Sequence, residues 1–253
     1  NLLSSPNNIL GIEYLKALKK LKSPITPITV ERYNSGYHDT TYNGNVASAT
    51  AIRNIVKNNG WDILRKVVPE NTFSTLLENI KVGHVVSDLS VFEKQIIYNL
   101  RKMSVQEIAE LPDVSEGLEH AIKNAANSCN SVVEFLNIIK SKRYTNTRIQ
   151  RILLYALLGI TKKDMALSKK AIPYVRVLGF NNKGKYLISE IAKANPKLEI
   201  ITSVKKYMDT SNNKNSKYML EKDIWATNVY TIGYEYDSWN NLDYTHKLII
   251  SDC

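Results

Sequence analysis

The sequence predicts an α+β protein, mostly α, in three parts. These are the end of an α/β domain (residues 1–60), a helical domain (61–168) and a small α/β C-terminal domain (169–253). Three observations carry this reading. Apolar residues recur with helical spacing over the middle of the chain. Strand-like runs with β-branched residues read at 25–33, 174–180 and 198–203. The Pro and Gly residues that punctuate structure fall where the period changes.

The elements follow in order. Pro6-Asn7-Asn8 reads as a turn, and the residues from Ile9 onward as a helix with Leu10, Tyr14, Leu15, Leu18 and Leu21 on its apolar side. Ser23-Pro24 ends that helix, because the residue before a proline disfavours the α region. Ile25 to Tyr33 alternates like a strand, and Asn34 to Asn45 is a polar loop. A further helix begins near Ser48 and ends by Gly60. From Trp61 only helical patterns appear. Ser90-x-x-Glu93, Ser104-x-x-Glu107 and Ser131-x-x-Glu134 each precede an apolar-periodic run and read as capping boxes. Leu118, Ala121, Ile122, Ala125 and Ala126 form one expected buried stripe. Ile149, Ile152, Leu153, Ala156 and Leu157 form another. Past Pro173 the period switches again. Tyr174 to Phe180 reads as a strand, Asn181 to Gly184 as a turn, Tyr186 to Ala194 as a helix, and Leu198 to Ser203 as a second strand. Asn212 to Ser216 reads as a polar loop, while Asp223–Ala226 and Val229–Tyr234 fit no single period.

Composition narrows the function classes. With 43% hydrophobic and 23% charged residues the chain is globular, and no apolar run reaches membrane-spanning length. Two cysteines, Cys129 and Cys253, are too few for a disulfide framework, so a cytoplasmic location is expected. Four histidines, at 38, 84, 120 and 246, show no metal-ligand spacing, and no metal site is expected. The net charge of +10 is not spread evenly. Twelve basic residues lie between Lys140 and Glu190 against two acids, Asp164 and Glu190, an excess equal to that of the whole chain. Such a field attracts a polyanion, and nucleic acid is the default partner.

The segment Ala47-Ser-Ala-Thr-Ala-Ile-Arg53 places two hydroxyls at an expected helix start, with an arginine less than one turn later. Unpaired N–H groups and the positive end of the helix dipole make such a start a cradle for phosphate. The same residues also suit an ordinary capped helix with a solvated arginine. Arg148 and Arg151 are three apart and share a helix face, with Lys142, Arg143 and Tyr144 just before them. They suit contacts to RNA phosphates and bases, or simply a solvated helix face. Tyr37-His38-Asp39 offers a possible proton-transfer pair, or merely loop structure.

Several blocks together resemble one family. They are Ser5-Pro6-Asn7-Asn8-Ile9-Leu10-Gly11, Arg32 through Asp39, Ala47 through Arg53, Glu116-Gly117-Leu118-Glu119-His120, Lys142 through Arg151, and Pro173-Tyr174-x-Arg176-x-Leu178-Gly179. In this order they resemble the bacterial tRNA(Met) cytidine acetate ligases of the nucleotidyltransferase superfamily. The resemblance implies that residues 1–60 end a Rossmann-like nucleotidyltransferase domain and that 61–168 bind tRNA. It implies a reaction in two steps. Acetate and ATP give acetyl-adenylate, and the acetyl group then passes to the wobble cytidine of elongator tRNA(Met). It implies ATP contacts at Asn7, Arg32, Tyr33, Ser48, Thr50 and Arg53, and tRNA contacts at Lys142, Arg143, Tyr144, Arg148, Arg151 and Arg176. ATP would enter as a substrate accompanied by Mg2+, with no protein ligand assigned to the metal.

One departure stands out. Superfamily members carry His-x-Gly-His, and no two histidines here are three apart. The expectation is a C-terminal portion of the ligase, without its N-terminal portion, inactive alone, and with no complete catalytic set. Two other readings remain open. One is a non-catalytic RNA-binding module of the superfamily; the other, an adenylyltransferase making a dinucleotide cofactor, does not account for the basic helical region.

Overall fold

The computed structural model describes residues 6–30, 47–86, 88–115, 117–140, 144–170, 174–236 and 241–251. The chain divides into two compact units, residues 1–79 and 80–253. The change of period at residue 61 lies inside the first unit.

In the first unit, α1 (Pro6–Leu21) opens on a proline, tolerated there because the first turn has no use for its missing N–H. Lys19 and Lys20 in its last turn complement the helix dipole. Its apolar residues Ile9, Leu10, Tyr14 and Leu15 are exposed. The strand expected from Ile25 does not form over its described part. Residues 23–30 are irregular, and Ile28 and Val30 are 87% and 91% exposed. Pro24 and Pro27 cannot donate to a ladder, and no strand among the described residues runs beside them. α2 (Ala49–Lys57), α3 (Trp61–Val67) and α4 (Glu70–Lys81) then pack around Ile55, Leu64, Val67 and Phe73. Every regular element in the described part of this unit is thus a helix, where an end of a sheet was expected.

The second unit begins with a 3₁₀ turn, Leu89–Phe92, and a bundle of α5 (Glu93–Lys102), α6 (Val105–Ala109), α7 (Leu118–Ser128), α8 (Val132–Ile139), α9 (Asn146–Leu158) and α10 (Lys162–Ser168). The α9 stripe Ile149, Ile152, Leu153, Ala156 and Leu157 is buried in full. On α7, Leu118, Ile122, Ala125 and Ala126 are buried, but Ala121 is exposed. These residues share one core with Phe92, Ile96, Leu100, Ile108 and Phe135. Each buried Leu, Ile or Phe among them contributes roughly 1.5–3 kcal/mol by leaving water, and each alanine less.

The three expected capping boxes have three outcomes. Ser104 and Glu107 form a complete box, and the bonds from Ser104's backbone and hydroxyl hold the Glu107 carboxyl below its usual range. Ser131 accepts from the Glu134 N–H, but the Glu134 carboxylate accepts from Asn130, one residue before the cap. Ser90-x-x-Glu93 is not a box. Asp88 caps the 3₁₀ turn, and the Glu93 carboxylate instead accepts the Val132 N–H that opens α8. A fourth box, Thr161 with Asp164, opens α10. The C-termini of α5 and α7 cap each other. Arg101 donates to Ala126 O and Cys129 O, while Lys123 donates to Arg101 O and Met103 O.

The α/β part of this unit holds two short parallel pairs. β1 (Tyr174–Arg176) lies beside β3 (Glu199–Ile201), and β2 (Gly179–Phe180) beside β4 (Ile249–Ile250). The single strand expected over 174–180 is therefore split at 177–178. At Gly179 a Cβ would stand 2.8 Å from Ile249 O, so this approach of two strands requires glycine. α11 (Asn182–Ala194) starts earlier than expected, because Asn181 caps it by accepting the Gly184 N–H. The expected 181–184 turn is thus a helix start. α12 (Val204–Thr210) and α13 (Lys214–Ile232) follow, then α14 (Leu242–Thr245). The expected 212–216 loop is shortened because Asn213 caps α13, and Ser216 is buried. α13 joins this part to the bundle. Tyr218 donates to Asp164 at 2.6 Å, Lys222 lies 3.7 Å from the same carboxylate, and Trp225 Nε1 donates to Leu158 O at 3.1 Å. Burial works against the Asp164 charge, but the bonds from Tyr218 and Thr161 and the Lys222 ammonium outweigh it and hold its pKa below the usual value.

Candidate functional site

The sequence-derived nucleotide residues lie in the first unit. Asn7 is exposed in the first turn of α1. Arg32, Tyr33 and the segment Tyr37-His38-Asp39 fall outside the described residues. At α2 the residues take different tasks. Ser48 is buried, and its Oγ accepts the Ala51 N–H at 3.1 Å. Its carbonyl accepts the Ile52 N–H at 2.9 Å. Ser48 therefore acts as the N-cap, the structural one of its two readings. The N–H groups of Ala49 and Thr50 stay at the open end of the helix, without a partner among the described residues. Thr50 and Arg53 are both exposed and three residues apart, so they share the outward face of this end. Two backbone N–H groups, a hydroxyl and a guanidinium, with no acid in the first turn, make a donor set for an anion.

The sequence-derived RNA residues lie in the second unit. Lys142 and Arg143 fall outside the described residues. Tyr144 is half-buried against the bundle core, and the Arg148 guanidinium lies 5.2 Å from its ring centroid. Arg148 donates twice to Asp113 O, at 3.0 and 2.7 Å, and once to Ser115 Oγ at 3.0 Å. Arg151 pairs with the Asp113 carboxylate at 2.9 Å. Asp113 has a left-handed backbone, φ 63°, a conformation its short polar side chain tolerates. The two arginines thus hold the turn between α6 and α7. Arg176, at the end of β1, is largely buried and paired with Asp243, whose other carboxylate oxygen is buried without a hydrogen-bond partner among the described residues. These residues wall a crevice of about 570 Å³ at the strand ends, with Ile201, Ser203, Thr227 and His246.

The basic stretch therefore divides largely by residue type. The described arginines face internal acceptors, as does Lys162, whose Nζ donates to Ala109 O at 2.6 Å, while Lys163, Lys169, Lys170, Lys183 and Lys185 face solvent. A planar fork suits fixed acceptors, and a flexible ammonium stays hydrated. Sequence reasoning missed Asp113 and Asp243. An acid 35 or more residues from its arginine leaves no local signal in the sequence. Among the described residues, no group of three or more His, Cys, Asp or Glu is placed to hold a metal, and no helix is long and apolar enough to cross a membrane.

Comparison with known proteins adds to this geometry. The family model of the HIGH nucleotidyl transferases matches residues 1–244. The tRNA(Met) cytidine acetate ligase of Thermoanaerobacter pseudethanolicus is 41% identical over 248 residues, covering 98% of this chain and 60% of the relative. That of Acetivibrio thermocellus is 36% identical, covering 98% of this chain and 61% of the relative. The chain thus spans about 60% of the length of these relatives. Apo Thermotoga maritima TmcAL superposes with a TM-score of 0.90 at 27% identity, over 99% of this chain and 62% of that one. The same protein bound with alpha-thio ATP gives a TM-score of 0.86 at 26% identity, over 99% of this chain and 61% of that one. The chain belongs to the HIGH nucleotidyl transferase family.

Proposed function

We propose that this chain is the ATP- and tRNA-binding portion of a ligase that acetylates the wobble cytidine of elongator tRNA(Met). The match of 98% of the chain to relatives bearing that ligase name carries the reading. In the first step a carboxylate oxygen of acetate attacks the α-phosphorus of ATP, and pyrophosphate leaves. In the second, the cytidine N4 attacks the acetyl carbon of acetyl-adenylate, loses a proton, and AMP leaves. Both steps need negative charge on the phosphates to be held. Thr50, Arg53 and the N–H groups of Ala49 and Thr50 supply donors for the triphosphate, and Ser48 fixes the helix end that aims them. Asn7, Arg32 and Tyr33 complete the nucleotide contacts on the family resemblance, with Mg2+ accompanying ATP and no protein ligand assigned to it. For tRNA, Lys142, Arg143 and Tyr144 stand as proposed. Arg148, Arg151 and Arg176 act chiefly by holding the scaffold, and the solvated lysines carry the attraction.

A second reading is a non-catalytic RNA-binding member of the superfamily. For either reading, labelled tRNA should be retained on a filter by the chain at low salt and released steeply as salt rises. No retention at low salt contradicts both. ATP binding separates them. On the ligase reading the 253-residue chain binds ATP but shows no acetate-dependent pyrophosphate release, and robust turnover would contradict the portion proposed here.

A further inference from the structure

We propose that an unpaired RNA base stacks in the groove between α5 and α13, on Tyr98 and Trp225, with its flanking phosphates on Lys94 and Lys102. The inference rests on the RNA-binding reading but on none of the residues the sequence assigned to it. Lys94, Tyr98 and Lys102 follow one another at four-residue spacing and are all exposed. Four residues rise about 6 Å along a helix and return to the same face, so the three form one stripe, cation–ring–cation. Across from it stands Trp225 of α13, and two adjoining hollows share Asn99, Leu157 and Trp225. One hollow, of about 390 Å³, is walled by Lys94, Tyr98 and Ile232. The other, of about 370 Å³, is walled by Lys102 and Met103.

Single exposed apolar residues are ordinary on a protein surface. Here Tyr98 is 63% and Trp225 48% exposed around one groove. The Trp225 ring is also fixed, because its Nε1 donates to Leu158 O. A ring held rigid and half in water loses little freedom when a base covers it. Charge decides the class of occupant. The chain carries +10, and a lysine stands at each end of the stripe. The carboxylate in the groove wall, Glu107, is engaged by Ser104 in the α6 capping box. A basic groove with aromatic platforms suits single-stranded nucleic acid, where stacking is tolerant of base identity and lysines follow the backbone.

The test titrates the chain with an unstructured oligocytidylate and, separately, with an RNA duplex of equal phosphate number. Tyr98→Ala is the principal variant, since an exposed ring on a helix surface is dispensable to the core. It should weaken oligocytidylate binding about tenfold and leave the duplex unchanged. The pair Lys94→Gln and Lys102→Gln should lower the salt slope for the oligocytidylate by about 1.4, two phosphates' worth for a single strand. Trp225→Phe, which keeps a ring but loses the bond to Leu158, should fall between wild type and Tyr98→Ala. If wild type binds oligocytidylate and the Tyr98 and lysine variants bind it equally well, the groove is not the site and the RNA-binding reading survives. If wild type retains neither RNA at low salt, that reading fails and takes the groove with it.

Discussion

The helical bundle and the first unit differ in how their sequence is spent. In the bundle, α5 and α7–α9 bury a continuous apolar core, and their ends are capped by each other's side chains. The first unit assembles a small core from α2, α3 and α4, while α1 leaves Leu10, Tyr14 and Leu15 in solvent. The proposed phosphate face, Thr50 and Arg53, sits on the lightly packed unit. The cations and rings proposed for RNA sit on the heavily packed one. The Ser48 cap fixes the helix end that carries the first, and the buried bundle core gives the second a rigid platform.

The largest effects should come from the two cores. Leu153→Ala and Leu64→Ala each remove a fully buried leucine and should each cost about 2–5 kcal/mol. Amide hydrogen exchange should place the losses differently. Leu64→Ala should open residues 49–79 and leave α9 protected, whereas Leu153→Ala should lower protection across the bundle. Equal loss everywhere after Leu64→Ala would break the comparison.

Next comes Asp164, the junction of α10 and α13. Asp164→Asn should cost about 2 kcal/mol in urea unfolding at neutral pH, because the buried carboxylate accepts several charge-strengthened bonds. Its folded pKa is depressed, so its contribution is present above the unfolded value of about 3.9 and lost as pH falls through the lower folded value. The variant should therefore flatten the acid limb of stability below about pH 4. An unchanged acid limb would show that other carboxylates set it.

A smaller effect belongs to α2. Ser48→Ala should cost about 1 kcal/mol, the usual worth of an N-cap, and melt the first unit earlier without moving the bundle's transition. The smallest is Asp113→Asn. It keeps a residue that tolerates positive φ and keeps the carbonyl that Arg148 uses. The lost ion pair to Arg151 is partly exposed, so stability should fall by only about 0.5 kcal/mol. The freed charge on Arg151 should tighten RNA binding and steepen its salt slope by less than one. Weaker RNA binding would mean that Arg151 serves only the turn.

What the sequence made legible was what is local. The α9 stripe follows one period, so all five residues read as core are core. The Ser104 box and the Ser48 cap were readable because cap and partner lie within three residues. What failed was set by distant partners. Ile25–Val30 alternates like a strand, yet a strand exists only when another lies beside it. The arginines at 148 and 151 looked free because Asp113 is 35 or more residues away. α13 read as two ambiguous pieces because it packs on several sides, with Leu220, Ile224 and Val229 buried beside Ser216 and Thr231. The groove stripe Lys94-Tyr98-Lys102 went unread, because its meaning needed Trp225, more than a hundred residues on. Of the candidate site, the helix start at Ser48 was legible; the division of labour between its buried cap and exposed Thr50 and Arg53 was not.

The central claim is that the α2 end holds the phosphates of ATP, and equilibrium dialysis of ATP against the 253-residue chain tests it most directly. Arg53→Gln should weaken ATP binding about tenfold, or about 1.4 kcal/mol, while Arg151→Gln in the other unit leaves it unchanged. Wild-type affinity in Arg53→Gln, or an equal loss in both variants, would contradict the account.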